Sequence, residues 1–124
     1  MTDKPILAKG IHANDNSIEL AVEAGADQVL VVGRIPSVYA DRCLVEPYSL
    51  EELTQLPTGT RAVWNSRDLS TGGIKPESFT DARKMFTGWL CQASNIRTTQ
   101  DIQTEADAIL VGTYLPELAE QLGF

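Results

Sequence analysis

Short apolar runs recur along this chain, and each closes on a polar residue or a glycine. Ile6-Leu7-Ala8 precedes Lys9, Gln28-Val29-Leu30-Val31-Val32 precedes Gly33, and Leu44-Val45 precedes Glu46. Ala62-Val63-Trp64 precedes Asn65, Leu90-Cys91 precedes Gln92, and Ile109-Leu110-Val111 precedes Gly112. The pattern predicts strands at 6–11, 28–32, 43–46, 61–65, 88–91 and 108–111. Helical spacing follows most of them. Ile18, Ala21 and Val22 share one face of a helix predicted over 17–24, after the capping residues Asn14-Asp15-Asn16 and before a stop at Gly25. Ser49 and Glu52 form a capping-box pattern at the head of the next helix, after which Pro57-Thr58-Gly59 makes a turn. Further helices are predicted over 77–86, around Asp101-Ile102 behind a Thr98 or Thr99 cap, and over 116–122. Residues 35–39 have room only for a short helical turn, so the segment from Gly33 to Cys43 reads as trimmed.

Continuous rather than alternating apolar runs indicate strands buried on both faces, as in a parallel sheet. Strands recurring every about 15–25 residues with helices between them have the rhythm of βα units rather than of hairpins. The expected fold is α/β, one domain over residues 1–124, with about six parallel strands in a partial or reduced TIM-barrel-like architecture. A closed eight-stranded barrel takes about 250 residues, twice this chain's 124. Open sheet edges tend to be covered or paired. The expected assembly is therefore a homodimer, or association with a partner chain that covers the edges.

Composition narrows the function classes. The net charge of −7 disfavours non-specific binding to nucleic acid or an anionic membrane, but leaves room for an anionic metabolite at a local positive site. No run approaches the roughly 18 apolar residues of a membrane span, and a cytoplasmic location is expected. Cys43 and Cys91 sit in strand-like runs and read as buried, reduced thiols, with a disulfide or a catalytic thiol as alternatives. The cysteines and the single His12 have no zinc-site spacing. No metal and no cofactor are expected.

Ligands of parallel β/α folds bind beyond the carboxyl ends of the strands, so the polar residues there are the candidates. Lys9 and Glu46 form an acid–base pair if both point into that space, and otherwise an ion pair at a strand terminus. Asn65 stands where a substrate hydroxyl would be oriented, and Arg67-Asp68 reads as a tie between loops. Gly112 and Thr113 offer backbone and hydroxyl donors to a phosphate, with Ser94-Asn95 as the other half of the pocket. His12 reads as a solvated loop residue or a ligand contact near Lys9. Gly72-Gly73 reads as a flexible loop. Trp64 and Trp89 read as core or interface residues, Trp64 facing away from Asn65.

Taken in order, these pieces resemble indole-3-glycerol phosphate synthase, a barrel enzyme of tryptophan synthesis. Leu44-Val45-Glu46, Asn65-Ser66-Arg67-Asp68-Leu69 and Asp107-Ala108-Ile109-Leu110-Val111-Gly112 are similar to its fifth, sixth and eighth strands, and Ala8-Lys9 to the strand of its catalytic lysine. The chain has no counterpart of that family's first two strands. Alanine (Ala93) stands in place of an active-site glutamate and Asn95 in place of a phosphate-binding glycine. Gly10-Ile11 replaces Asp-Phe after the lysine, and Pro47 after Glu46 is also a departure. The stretch from Gly72 to Pro76 has a slighter similarity to the sister isomerase of the same pathway.

The resemblance implies a carbon–carbon lyase that closes an indole ring on an anthranilate-linked ribulose phosphate, with loss of carbon dioxide and water. It implies Lys9 as general acid, Glu46 as general base and Asn65 as holder of the substrate hydroxyls. Ser94, Gly112 and Thr113 would contribute to the active site and the phosphate pocket. The alternative is a catalytically degenerate phosphate-ligand-binding or assembly protein that has lost the synthase reaction. The partner expected in either case is a phosphorylated small molecule.

Overall fold

A computed structural model describes residues 3–69, 71–112 and 114–123. Six strands form one sheet in sequence order: β1 (Leu7–Ala8), β2 (Gln28–Val32), β3 (Cys43–Glu46), β4 (Arg61–Asn65), β5 (Leu90–Ala93) and β6 (Ala108–Leu110). Every neighbouring pair is parallel, in registers such as Val31 to Val45, Val63 to Cys91 and Ala93 to Leu110. The sheet curls into a half-barrel with alternating helices, the expected α/β partial-barrel architecture. β1 and β6 do not pair, so the six strands stay open.

The helices are α1 (Asp15–Glu23), α2 (Leu50–Thr54), α3 (Phe79–Met85) and α4 (Leu115–Leu122). Asn14 caps α1 by accepting the Ser17 N–H, and Gly25 beyond it takes φ +109°. Ser49 caps α2, but the Glu52 carboxylate reaches the Tyr48 N–H instead of closing the expected box on Ser49. A full box lies at α3, where Ser78 and Asp81 exchange bonds, so that helix starts later than predicted. Between β2 and β3 the chain makes only a 3-10 turn over Ala40–Arg42, displaced from the turn predicted at 35–39. The segment behind the Thr98 cap is likewise a single 3-10 turn, Thr99–Asp101.

Side-chain alternation sorts the strands onto two faces. Val29, Val31 and Cys43 pack under α1 with Ile18, while Ala62, Trp64 and Leu90 pack with Leu53, Phe79 and Ala82 of α2 and α3. Leu30, Val32, Leu44, Val63, Cys91 and Ala93 form a separate cluster on the other, concave face. Trp64 is fully buried and faces away from Asn65, as its position requires. Both cysteines are free and buried. They occupy opposite faces of the sheet, which rules out a bridge between them.

Two strands differ from their predicted extents. β1 has only two residues; Gly10 at φ +149° interrupts the predicted run, although the Ile11 carbonyl beyond it still accepts the Val32 N–H at 3.1 Å. β5 is shifted forward and takes in Gln92 and Ala93. Gln92 is buried, yet both ends of its amide are satisfied: it donates to the Asp101 carbonyl at 2.7 Å and accepts the Gln103 N–H at 2.9 Å. A paired amide can be buried at little cost, so the strand runs through it. Among the described residues no helix is long and apolar enough to cross a membrane.

Candidate functional site

The alternation that buries Leu44 and Val63 on the concave face also places Glu46 and Asn65 on it, at the ends of β3 and β4. They stand in a cleft of about 400 Å³ at the carboxyl ends of the strands, which Lys9, Arg67, Ser94 and Arg97 also line. Glu46 is 4% exposed. Asn65 Nδ2 donates to Glu46 Oε2 at 3.1 Å, and Asn65 Oδ1 accepts the Arg67 N–H at 3.0 Å. Asn65 therefore holds the carboxylate with one end of its amide and the following loop with the other.

Burial pushes the Glu46 carboxyl above its ordinary value. The Asn65 hydrogen bond and the charges of Lys75 and Lys9 pull it part of the way back. A shift in this direction makes the carboxylate a better proton acceptor than an exposed one.

Lys9 follows β1 and is exposed at the cleft wall. It forms no ion pair with Glu46; the salt bridges among the described residues are Arg34 with Asp15 and Arg83 with Asp107. Its charge nevertheless acts on the Glu46 carboxyl through space. The two groups thus share a cleft and interact through space without an ion pair.

Ser94 and Asn95 take φ of +68° and +58° where the chain leaves β5. Neither is a glycine, so both carry backbone strain at the cleft wall. Asn95 Nδ2 donates to Ser66 Oγ at 2.7 Å, and the Ser66 hydroxyl reaches the carbonyls of Ala93 and Ser94, both at 3.3 Å. This network ties the rim after β4 to the rim after β5. Gly112 lies at the cleft beyond β6, and a Cβ there would meet open space. The site of Thr113 lies outside the described residues. Arg97 is exposed and lies 4.8 Å over the ring of Tyr114, another residue of the cleft.

Arg67, Arg97 and Lys75 carry more of the site than their sequence positions suggested. Arg67 reads as a loop tie in the sequence, yet it lines the cleft, and with Lys9 and Arg97 it makes the cleft cationic in an acidic protein. Lys75 was hidden in a glycine-rich loop. It is 8% exposed, and its Nζ donates to the Asn65 carbonyl at 2.7 Å and sits 4.5 Å over the Trp64 ring.

His12 ties its loop to the sheet by donating from Nδ1 to the Leu30 carbonyl at 2.6 Å. Burial pushes the Cys91 thiol up to about 12, with the Glu46 charge adding to the effect. Cys43 is pushed up as well, chiefly by burial. Neither thiol is an activated nucleophile. Among the described residues no three His, Cys, Asp or Glu side chains gather in an arrangement that would hold a metal ion. No protein-family model matches the chain, and neither a curated protein nor a solved structure matches it.

Proposed function

We propose that the cleft takes a phosphorylated, sugar-derived metabolite and acts on it by acid–base chemistry of the indole-3-glycerol phosphate synthase type. The observation that carries this reading is the buried Glu46, held by Asn65 in a cleft lined by Lys9, Arg67 and Arg97. The cations suit a substrate with phosphate and carboxylate groups. Lys9, exposed and cationic, would donate a proton to the carbonyl oxygen as the ring carbon bonds to the carbonyl carbon. The ring carboxylate leaves as carbon dioxide. Lys9, reprotonated from solvent, would give a second proton to the resulting hydroxyl so that it departs as water. Glu46 would accept the proton lost from the neighbouring carbon as the ring double bond forms. Ser94 and Gly112, with Thr113, would hold the phosphate.

A second reading has its own support. Ala93 ends β5 where the resembling family has a glutamate, and the cleft is walled by a sheet that does not close. Both features favour a protein that binds a phosphorylated ligand without turning it over. The open edges at β1 and β6 favour a homodimer in either case, and solution mass tests it: a monomer rejects the dimer, and a larger complex of mixed composition points to a different partner chain.

One experiment separates the two readings. The chain is incubated with carboxyphenylamino-deoxyribulose phosphate, and indole fluorescence is followed. Turnover that is lost in both Lys9→Ala and Glu46→Gln supports the enzyme. Absence of turnover, with thermal stabilisation by the same compound, supports the binding protein. Neither turnover nor stabilisation rejects both.

A further inference from the structure

We propose that Lys75 is a positioning residue for this cleft: its buried ammonium fixes Asn65 from the main-chain side and supplies a positive charge behind the Asn65–Glu46 pair. The inference rests on the reading of Glu46 as the working base.

The path of the chain brings Lys75 there. Beyond β4 the backbone folds back on itself, with Arg67 bridged antiparallel to Ile74. The Lys75 N–H donates to the Ser66 carbonyl at 2.8 Å, and the Asp68 N–H to the Gly73 carbonyl at 2.8 Å. Lys75 therefore lies beside the residue that follows Asn65. Its side chain crosses the face of Trp64 and delivers Nζ to the Asn65 carbonyl. Asn65 is then held at both ends: Lys75 holds its backbone, and its side-chain amide holds Glu46.

Buried polar side chains are few enough to compare. Among the described residues they are Glu46, Lys75 and Gln92. Gln92 is neutral and bonded at both ends of its amide to the segment that follows β5. The two charged ones meet on the same asparagine. Removing an ammonium from water is costly, and a partner carboxylate normally offsets that cost. Lys75 has a carbonyl and a ring face, and among the described residues no salt bridge to a carboxylate. A methionine would fill the space over Trp64 with no charge to desolvate. The charge itself is therefore what distinguishes lysine here, and Glu46 is the buried group that feels it.

The surrounding groups agree. Burial draws the Lys75 ammonium down, opposed first by Glu46 and then by Asp68, Glu77 and Glu52. On the other side, Glu46 faces the Asn65 amide, Lys75, Lys9 and the Cys91 thiol. Of its two cationic neighbours, Lys9 is exposed and Lys75 is not. Salt screens the exposed charge far more than the buried one.

The test is a 13C titration of the Glu46 side-chain carboxyl, assigned by its loss in Glu46→Gln. It needs neither ligand nor turnover, so it can fail independently of the proposed reaction. In Lys75→Met the Glu46 midpoint rises by roughly 0.3 pH unit or more, a twofold or greater loss of acidity. The rise persists in 0.5 M NaCl, whereas the rise in Lys9→Met shrinks there. Lys75→Arg restores the midpoint toward the wild-type value. A folded Lys75→Met protein with an unchanged midpoint overturns the proposal. If that variant does not fold, the wild-type Lys75 side-chain resonances decide: they follow the Glu46 titration if the two are coupled, and a flat response overturns the coupling.

Discussion

Replacing Glu46 with glutamine should make this protein more stable at neutral pH. The side chain is 4% exposed, and its carboxyl is held above the ordinary value of 4.5 by burial. For an acid shifted in that direction, the unfolded chain ionises first as pH rises. Stability then falls between the unfolded and the folded pKa, and the full penalty persists above the folded value. Below the unfolded value, both states are protonated and the penalty vanishes. Glutamine keeps the shape and retains a carbonyl oxygen for the Asn65 amide, but it never ionises. The stability difference between variant and wild type should therefore grow from near zero at pH 3 to a plateau above the folded pKa. Each tenfold loss of acidity in the folded state contributes about 1.4 kcal/mol to that plateau. One kcal/mol corresponds to roughly 2–8 °C in Tm for domains of this size range. Urea denaturation of both proteins at a series of pH values measures the difference directly, and taking the difference removes the titration of every other carboxylate. A variant that is less stable at pH 8 than at pH 3, relative to wild type, would refute the claim that burial dominates at Glu46. The same substitution removes the proposed base, so a gain in stability should accompany a loss of turnover.

Asn65→Ala deprives both Glu46 Oε2 and the Arg67 N–H of partners and should cost about 1–3 kcal/mol of stability, read by urea denaturation. It should also weaken binding of the sugar phosphate, measured by calorimetry. Gly33→Ala sets a Cβ 2.2 Å from Cε2 of Tyr48 at φ +75°. The left-handed backbone alone costs about 1–2 kcal/mol, and adding Tyr48→Ala should recover only the steric part of the loss. Cys91, at about 12, and the buried Cys43 should not react with a thiol reagent at pH 8 until the chain is unfolded in urea.

The fold was legible wherever apolar runs were long and local. β2 and β4 occupy their predicted residues because each is a continuous apolar run. The ends were less legible because polarity was taken as the end of a strand. Gln92 defeats that rule: its amide is satisfied by residues about ten positions further along, a pairing no local pattern shows. Glu46 and Asn65 were identifiable because a polar residue ending a buried parallel strand has few places to go but the rim. Lys9 and Glu46 line the same cleft without a direct ion pair, a separation that strand-end spacing alone does not reveal. Lys75 was hidden by its setting. Its role depends on a fold-back that returns it to Asn65, ten residues upstream, and a glycine-rich loop announces a turn without saying what it delivers.

The strand order has a consequence for how such a chain grows. Each strand pairs with the one before it and the one after it, so no contact in the sheet waits for a distant segment. Pairing between sequence neighbours keeps contact order low for a parallel sheet and allows strands to join as they leave the ribosome. The Lys75 ammonium reaches only ten residues back, so the latch behind the Glu46 site can close once that loop has been made, before β5 and β6 exist. By the same logic, a further strand–helix unit added at either edge would break no existing pair, which makes this half-barrel a scaffold that can be lengthened without being rebuilt.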